Sequence, residues 1–332
     1  MAAPIRVGTL GAARITPNAL TKPARRVKEI DVVAVAARDR QRAEKYAAKH
    51  GIPRVLDSYD ALVADPGIDA VYNPLPNGLH GVWTIRALEA GKHVLCEKPF
   101  TANADEAEQV KAVADRTGLV VIEAFHWRYH PLAARMKEIV ESGELGKLQH
   151  VETWMCIPLP MKKDIRYNLS LAGGAAMDVG AYATHMQRTL VGTEPEVVSA
   201  QAKQSSPGVD RWMTADLRFP NGGPTGRMTF ALWSARPLKI SAKVVGDKGE
   251  MSVFNPVGPQ YWHRLTVRAG GGKRAEHLPR IPTYQYQLQA FADAVLRGAP
   301  VLTPPSDAVA NMRVIDACYR AAGMEPRRPT PA

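Results

Sequence analysis

Over its first 125 residues the chain alternates short apolar runs with amphipathic stretches at helical spacing, a pattern few folds accept. Strand candidates are Ile5–Leu10, Val32–Ala37, Ala70–Asn73, Val94–Glu97 and Val120–Glu123. Helical patterns fall between or after them at Asn18–Lys28, Arg40–His50, Tyr59–Ala64, Gly81–Ala90 and Ala104–Thr117, the last preceded by a start signal at Thr101–Asn103. Such alternation implies a parallel sheet with crossover helices on both faces. Ligands of such sheets bind at the carboxyl ends of the strands.

From Tyr129 the texture changes. A helix is expected over Leu132–Ser142, then strands at Leu148–Ile157, Val197–Gln204, Trp212–Phe219, Gly226–Trp233, Leu238–Val245, Gly249–Phe254 and Leu265–Ala269. Turns such as Asn221-Gly222-Gly223 and Gly270-Gly271-Gly272 separate several of them, so this half reads as mostly antiparallel. Gly173–Val191 is a helix set among the strands, and Tyr284–Arg297 and Ser306–Gly323 close the chain. The expected organisation is α/β, with a nucleotide-binding domain over 1–125 and an α+β domain over 126–323. A loose tail rich in Pro and Arg is expected over 324–332.

At 332 residues, 45% hydrophobic and 23% charged, the chain has room for two cores and is not disordered. The net charge of +11 is spread out, and the basic groups at Lys22–Lys28 and Arg327-Arg328 lack interleaved aromatics. That argues against nucleic acid; an anionic dinucleotide or phosphorylated substrate uses a positive surface equally well. Cys96, Cys156 and Cys318 are odd in number and widely spaced, which suits a reducing compartment. No basic-then-apolar leader precedes Ile5 and no run of about 18 apolar residues follows, so the expectation is a cytoplasmic protein without a membrane span.

Two segments carry the chemistry of the first half. Ile5 to Leu10 runs into Gly11-Ala12-Ala13-Arg14-Ile15-Thr16, a strand-to-helix turn with the first glycine of the Gly-x-Gly-x-x-Gly pattern and alanine at the second. His93 to Cys96 leads into Glu97-Lys98-Pro99-Phe100, which delivers an ammonium to the strand end where proline stiffens the backbone. Together they imply a dinucleotide on the sheet with a cation beside its reactive ring. The second strand ends in Ala36-Ala37-Arg38-Asp39. An acid there binds the ribose 2′-hydroxyl of NAD, and an arginine accommodates the 2′-phosphate of NADP. Arg38 comes first and Asp39 is also placed to cap the next helix, so NADP is favoured over NAD. Asn73-Pro74-Leu75-Pro76-Asn77-Gly78-Leu79-His80 is a stiffened loop at another strand end, with Asn77 available as a helix cap.

In the second half Asp178, Tyr182 and His185 stand at i, i+4 and i+7 on one helical face, where a core stripe would be apolar. The alternative is a solvated polar face. His126 and His130 have a spacing that binds zinc on a helix, but no acidic third ligand follows and Pro131 breaks the pattern. Lining a cleft is the better reading, and no metal is expected.

These segments, in order, resemble the glucose–fructose oxidoreductase/inositol dehydrogenase/MocA family over nearly the whole chain. The resemblance rests on the Gly11 turn, Asn73 to His80, Glu97-Lys98-Pro99, Gly173-Gly174 through Asp178, Gly180 and Tyr182, and Tyr286-Gln287 with Phe291. It implies a Rossmann domain followed by an α+β domain whose large open, mostly antiparallel sheet supports a homodimer or homotetramer. It implies an oxidoreductase acting on a hydroxyl or carbonyl of a sugar, polyol or diol, with cofactor contacts from Gly11, Ala13, Arg14, Ile15, Ala37, Arg38, Asp39, Asn73, Pro74, Leu75, Asn77, His80, Glu97, Lys98 and Tyr286. Lys98 would lie beside the nicotinamide, Asp178 would orient substrate, and Tyr182 would hold the proton-transfer position. Tyrosine at that position is similar to the dihydrodiol and NADP-dependent xylose dehydrogenase branch.

Hydride transfer to a carbonyl leaves an alkoxide that needs a proton. A free phenol has a pKa of about 10, and a neighbouring ammonium lowers it, so Lys98 is expected to tune Tyr182 and polarise the substrate oxygen. His185 would relay the proton, bond substrate or only support Tyr182. The basic Met161–Tyr167 segment suggests a polyol, with a phosphate, carboxylate or nucleotide attached as a further possibility. The competing readings are a glycosidase of the same fold with tightly bound NAD, and a nucleotide sensor without turnover.

Overall fold

The structure, a computed structural model, describes residues 3–161, 164–235 and 238–332. A six-stranded parallel sheet is built from β1 (Ile5–Leu10), β2 (Ile30–Ala36), β3 (Arg54–Leu56), β4 (Ala70–Asn73), β5 (His93–Cys96) and β6 (Val121–Glu123). Its order is β3-β2-β1-β4-β5-β6, so the winding reverses between β1 and β4 and opens a crevice at their carboxyl ends. β3 escaped the sequence reading because three residues are too few for a period to show.

The connecting helices are α1 (Lys22–Ala24), α2 (Arg40–His50), α3 (Tyr59–Ala64), α4 (His80–Glu89) and α5 (Ala104–Thr117). The helix expected over Asn18–Lys28 is a π-helical turn, Pro17–Thr21, followed by the three residues of α1. Pro23 has no N–H to continue the ladder. Asn103 caps α5, its side chain accepting from Glu106 N at 2.9 Å.

The second sheet contains β7 (Leu148–Cys156), β8 (Glu196–Ser206), β9 (Val209–Arg218), β10 (Thr225–Ala231), β11 (Lys239–Gly246), β12 (Gly249–Phe254), β13 (Arg264–Ala269) and β14 (Gly272–Glu276). Its order is β14-β13-β12-β11-β7-β10-β9-β8, and only the β7–β10 pair is parallel. The expected architecture is thereby borne out. The Gly270-Gly271 turn was read correctly, but it leads into β14, which the sequence did not suggest. Helices α6 (Pro131–Glu141), α7 (Ala181–Val191), α8 (Thr283–Arg297) and α9 (Pro305–Ala321) complete the chain. Strand residues Val151, Met213, Met228 and Phe230 are buried with Ala183 and Met186 of α7 in one core cluster. Helix α8 returns to the first sheet, where Leu288 and Phe291 pack with Ile5, Val7 and Tyr72.

The tail expected to be loose is packed. Arg327 is 3% exposed, and its guanidinium donates to Asp210 Oδ1 and to Gly173 O, both at 2.7 Å. Thr330 N donates to Gly78 O at 2.7 Å and its hydroxyl to Ser170 O at 2.6 Å. The segment straps the loop after β4 to the residues preceding Asp178. Composition misled because Arg327 meets a buried acid far away in sequence, and a buried charge needs such a partner.

Two further carboxyls are buried at the α5–α9 contact. Glu106 Oε2 accepts from Ala102 N at 2.8 Å and Asp316 Oδ2 accepts from Ala104 N at 3.0 Å. Burial pushes Glu106 up to about 7 and Asp316 up to about 6, against these backbone bonds. An acid whose pKa is higher folded than unfolded stabilises the fold at low pH and loses that contribution as pH rises through the folded value. Unfolding midpoints in denaturant should therefore fall between about pH 4 and 7. Glu106→Gln should flatten that slope; an unchanged slope would contradict the assignment.

Candidate active site

The nucleotide turn is shaped from both sides. Gly11 takes φ +80°, a left-handed conformation open to glycine, and its N donates to Ala36 O at 2.6 Å. A Cβ at Gly11 would approach Leu75 Cδ2 to 3.3 Å. From α2, Arg42 Nη2 donates to Ala12 O and Tyr46 Oη to Ala13 O, each at 3.0 Å. A peptide's N–H points opposite its C=O, so pinning these carbonyls against α2 turns the amides of Ala13 and Arg14 the other way. Neither amide makes a backbone hydrogen bond to a described residue. Outward-facing amides at a helix start are the donor set a pyrophosphate needs. Arg14 is exposed and Ile15 half-buried beside them.

Asp39 caps α2, its carboxylate accepting from Arg42 N at 3.0 Å, and so takes the alternative role foreseen for it. Arg38 follows the buried Ala37 and is exposed. Arg38 and Arg42 both lie close enough to Tyr59 to favour its ionised form against burial. Neither makes an ion pair with a described residue, whereas Arg40 between them pairs with Glu44 at 2.9 Å. Two unneutralised guanidiniums thus flank the end of β2. Arg42 escaped notice because only the fold returns the first turn of α2 to the nucleotide loop.

The loop after β4 is held from within. Asn73 is buried, its amide donating to His80 O at 3.0 Å and to Thr84 Oγ1 at 3.2 Å. Leu75 N donates to Asn73 Oδ1 at 3.4 Å, across Pro74. His80 Nδ1 lies 2.7 Å from Pro99 O and Nε2 2.6 Å from Leu75 O, joining this loop to the turn after β5. Burial pushes the His80 imidazole down to about 4. Asn77 does not cap a helix; its amide donates to Ala172 O at 3.1 Å in the second half. Glu97 is buried and accepts from Tyr72 Oη at 2.7 Å, so its side chain supports the strand ends from below.

Lys98 Nζ donates to both Asp178 Oδ1 and Asp178 O, each at 2.8 Å, and the peptide after it is cis. Asp178 sits in a π-helical turn, Ala176–Gly180, that leads into α7. The turn starts there because Asp210 Oδ2 accepts from Ala176 N at 2.7 Å. Gly174 lies at φ +140°, and a Cβ on it would overlap Asp210, Arg327 and Tyr319. Arg166 Nε donates to the other carboxylate oxygen of Asp178 at 3.0 Å, and its Nη1 to Asp164 Oδ1 at 3.1 Å. Burial raises the Asp178 carboxyl, but Lys98 and Arg166 outweigh it and hold the group below the usual carboxylate range. Arg166 belongs to the basic stretch noted in the sequence; Lys162 and Lys163 lie outside the described residues.

Lys98 Nζ stands 5.0 Å from the centroid of the Tyr182 ring. Tyr182 is 5% exposed, and burial, followed by Tyr284, Glu97 and Asp178, raises its pKa well above 10. The expected lowering by Lys98 is therefore not what the structure gives, because Asp178 takes up the ammonium. The partner of the Tyr182 hydroxyl is His126, whose Nε2 lies 2.9 Å away. His126 was read as lining a cleft; nothing local in the sequence pointed to Tyr182, 56 residues on.

His185, on the same helical face, is not brought to these groups. Its ring stacks on Phe125 at 4.1 Å and its Nε2 lies 3.0 Å from Asp307, which also receives Arg188 at 2.8 Å. Tyr286 packs edge-on against His130 at 5.2 Å, while Tyr284 lies over His126 at 4.1 Å. His130 turns away from His126, its Nε2 lying 2.9 Å from Pro279 O.

Comparison with known proteins bears on the family and the fold. Residues 5–125 match the family described as an oxidoreductase family with an NAD-binding Rossmann fold, and residues 133–252 match the GFO/IDH/MocA C-terminal domain. The D-xylose 1-dehydrogenase (NADP(+)) 2 of Haloferax volcanii is 37% identical over 316 residues, covering 95% of this chain and 96% of that protein. Human trans-1,2-dihydrobenzene-1,2-diol dehydrogenase is 32% identical over 258 residues, covering 76% of this chain and 74% of that protein. A 3-ketoreductase from Actinomadura kijaniata, solved with NADP and TDP-benzene, superposes with a TM-score of 0.89 at 29% identity over 96% of this chain and 98% of its own.

Proposed function

The chain belongs to the GFO/IDH/MocA oxidoreductase family, and from that premise we propose that it is an NADP-dependent dehydrogenase/reductase acting on a CH–OH or C=O carbon of a neutral sugar, polyol or diol. The observation that carries this reading is the convergence of Lys98, Asp178 and Tyr182 at the carboxyl end of β5, the same end of the parallel sheet as the nucleotide turn. The turn amides, Arg38 and Arg42 suit a dinucleotide bearing a 2′-phosphate. The nicotinamide, when bound, supplies or takes the hydride.

The protein's own residues handle the proton. In the reducing direction Tyr182 gives its hydroxyl proton to the substrate oxygen as negative charge develops there. Lys98 has three donors; Asp178 engages two, and no described residue takes the third, which is left for the substrate oxygen. In the oxidising direction the same groups act in reverse. A neutral substrate fits the charge balance, since Asp178 and Asp164 offset Lys98 and Arg166.

Fluorescence titration with NADPH and NADH in parallel tests the cofactor reading. NADPH should bind more tightly. Arg38→Ala should weaken NADPH by about 10- to 100-fold, the range for one charged hydrogen bond, with a far smaller effect on NADH. Equal losses for both cofactors would remove Arg38 from the phosphate site.

A further inference from the structure

His126 follows β6 in a 3-10 turn, His126–Tyr129, and is 5% exposed. Its Nε2 bonds Tyr182 Oη at 2.9 Å, while its Nδ1 is buried with no hydrogen-bond partner among the described residues. Tyr284 of α8 covers one side of the ring. The charged and titratable groups near enough to act on the pair are Lys98 from the β5 turn, Glu97 at its base, Glu123 of β6, Asp178 of the π turn, His130 and Tyr284. Burial, then Lys98, then His130 push the His126 imidazole down to about 3, so it is neutral and carries one ring proton.

A neutral imidazole has two tautomers, with opposite consequences. With the proton on Nδ1, Nε2 accepts from Tyr182, which ties up the phenol's only proton and strands a buried N–H. With the proton on Nε2, the imidazole donates to Oη and the phenol proton is free to face the substrate.

Resting on the reading of Tyr182 as the proton donor and acceptor, we propose that His126 is a positioning residue that holds its proton on Nε2 and donates to Tyr182 Oη. The Tyr182 proton is thereby aimed at the substrate oxygen, and the phenolate left after its transfer keeps a hydrogen bond. His126 neither gains nor loses a proton in the step. The O–H bond of Tyr182 breaks, the proton joins the substrate oxygen, and the electron pair stays on Oη. A donor to the charged form lowers a pKa, so His126 opposes the rise that burial imposes on Tyr182.

The test combines the pH dependence of kcat for wild type, Tyr182→Phe, His126→Gln and His126→Phe with ¹⁵N NMR of the wild-type histidines, assigned through the His126→Gln spectrum. The spectrum should show Nε2-protonated His126. His126→Phe should lower kcat by about 10- to 100-fold and move the limb due to Tyr182 upward by about one to two pH units, the range for a lost hydrogen bond to a charged group. His126→Gln, which retains an amide donor, should recover most of both. An Nδ1-protonated ring, or an unmoved limb in His126→Phe while Tyr182→Phe is inactive, overturns the proposal and leaves the role of Tyr182 standing. An active Tyr182→Phe overturns that role itself.

Discussion

Tyr182→Phe is expected to lower kcat by roughly 10²- to 10⁴-fold, the usual contribution of a positioned acid or base, with NADPH affinity unchanged. The substitution removes Oη and leaves the ring with its edge contact to Phe125 at 5.4 Å and its face under Lys98. Among the described residues, the only hydrogen bond of Oη lost is that to His126, so the loss belongs to the proton step. Lys98→Ala should fall in the same range for a different reason. It deletes the donor left for the substrate oxygen and leaves Asp178 to Arg166 alone. Steady-state rates with NADPH affinity measured alongside separate chemistry from binding. Near-normal kcat in both variants would sink the mechanism.

Arg327→Ala should destabilise the fold by about 3–5 kcal/mol, the range for breaking a buried ion pair from one side. The residue sits in the terminal strap at 2% side-chain exposure, and Asp210 is fully buried. Asp210 also receives Tyr319 Oη at 2.9 Å and Ala176 N, so an unpaired charge would remain in the lead-in to Asp178. Burial already raises the Asp210 pKa, and Arg327 is the largest of the groups opposing it. Removing Arg327 should raise it further and make the variant more stable at low pH than at neutral pH. Adding Asp210→Asn should recover much of the loss. A cost below about 1 kcal/mol in denaturant melts would mean that the pair does not matter to the fold.

Much of the frame was legible because it is written in period and length. Ile5–Leu10, Ala70–Asn73 and Arg40–His50 are continuous patterns whose bounds the structure reproduces. Lys98 and Asp178 stood out as charged groups where apolar ones would pack, and the structure pairs them. What stayed hidden depends on contacts between distant segments. His126 meets Tyr182, Arg166 meets Asp178 and Arg327 meets Asp210 only once both sheets are formed. Tyr284 and Tyr286 differ by about 200° around their helix, so a choice between them needs the direction from which α8 is packed. The effect of Lys98 on Tyr182 was misjudged because an ammonium between two Asp178 oxygens has less field to lend.

The most direct test of the central claim is transfer of deuterium from NADPH deuterated at C4 to the carbonyl carbon of neutral ketoses, aldoses and oxidised diols, read by mass spectrometry of the products. The account predicts a product carrying deuterium on the new carbinol carbon with wild-type protein, and almost none with Tyr182→Phe although NADPH still binds. Deuterium transfer undiminished in Tyr182→Phe, or NADPH binding without transfer to any neutral carbonyl compound, would contradict it.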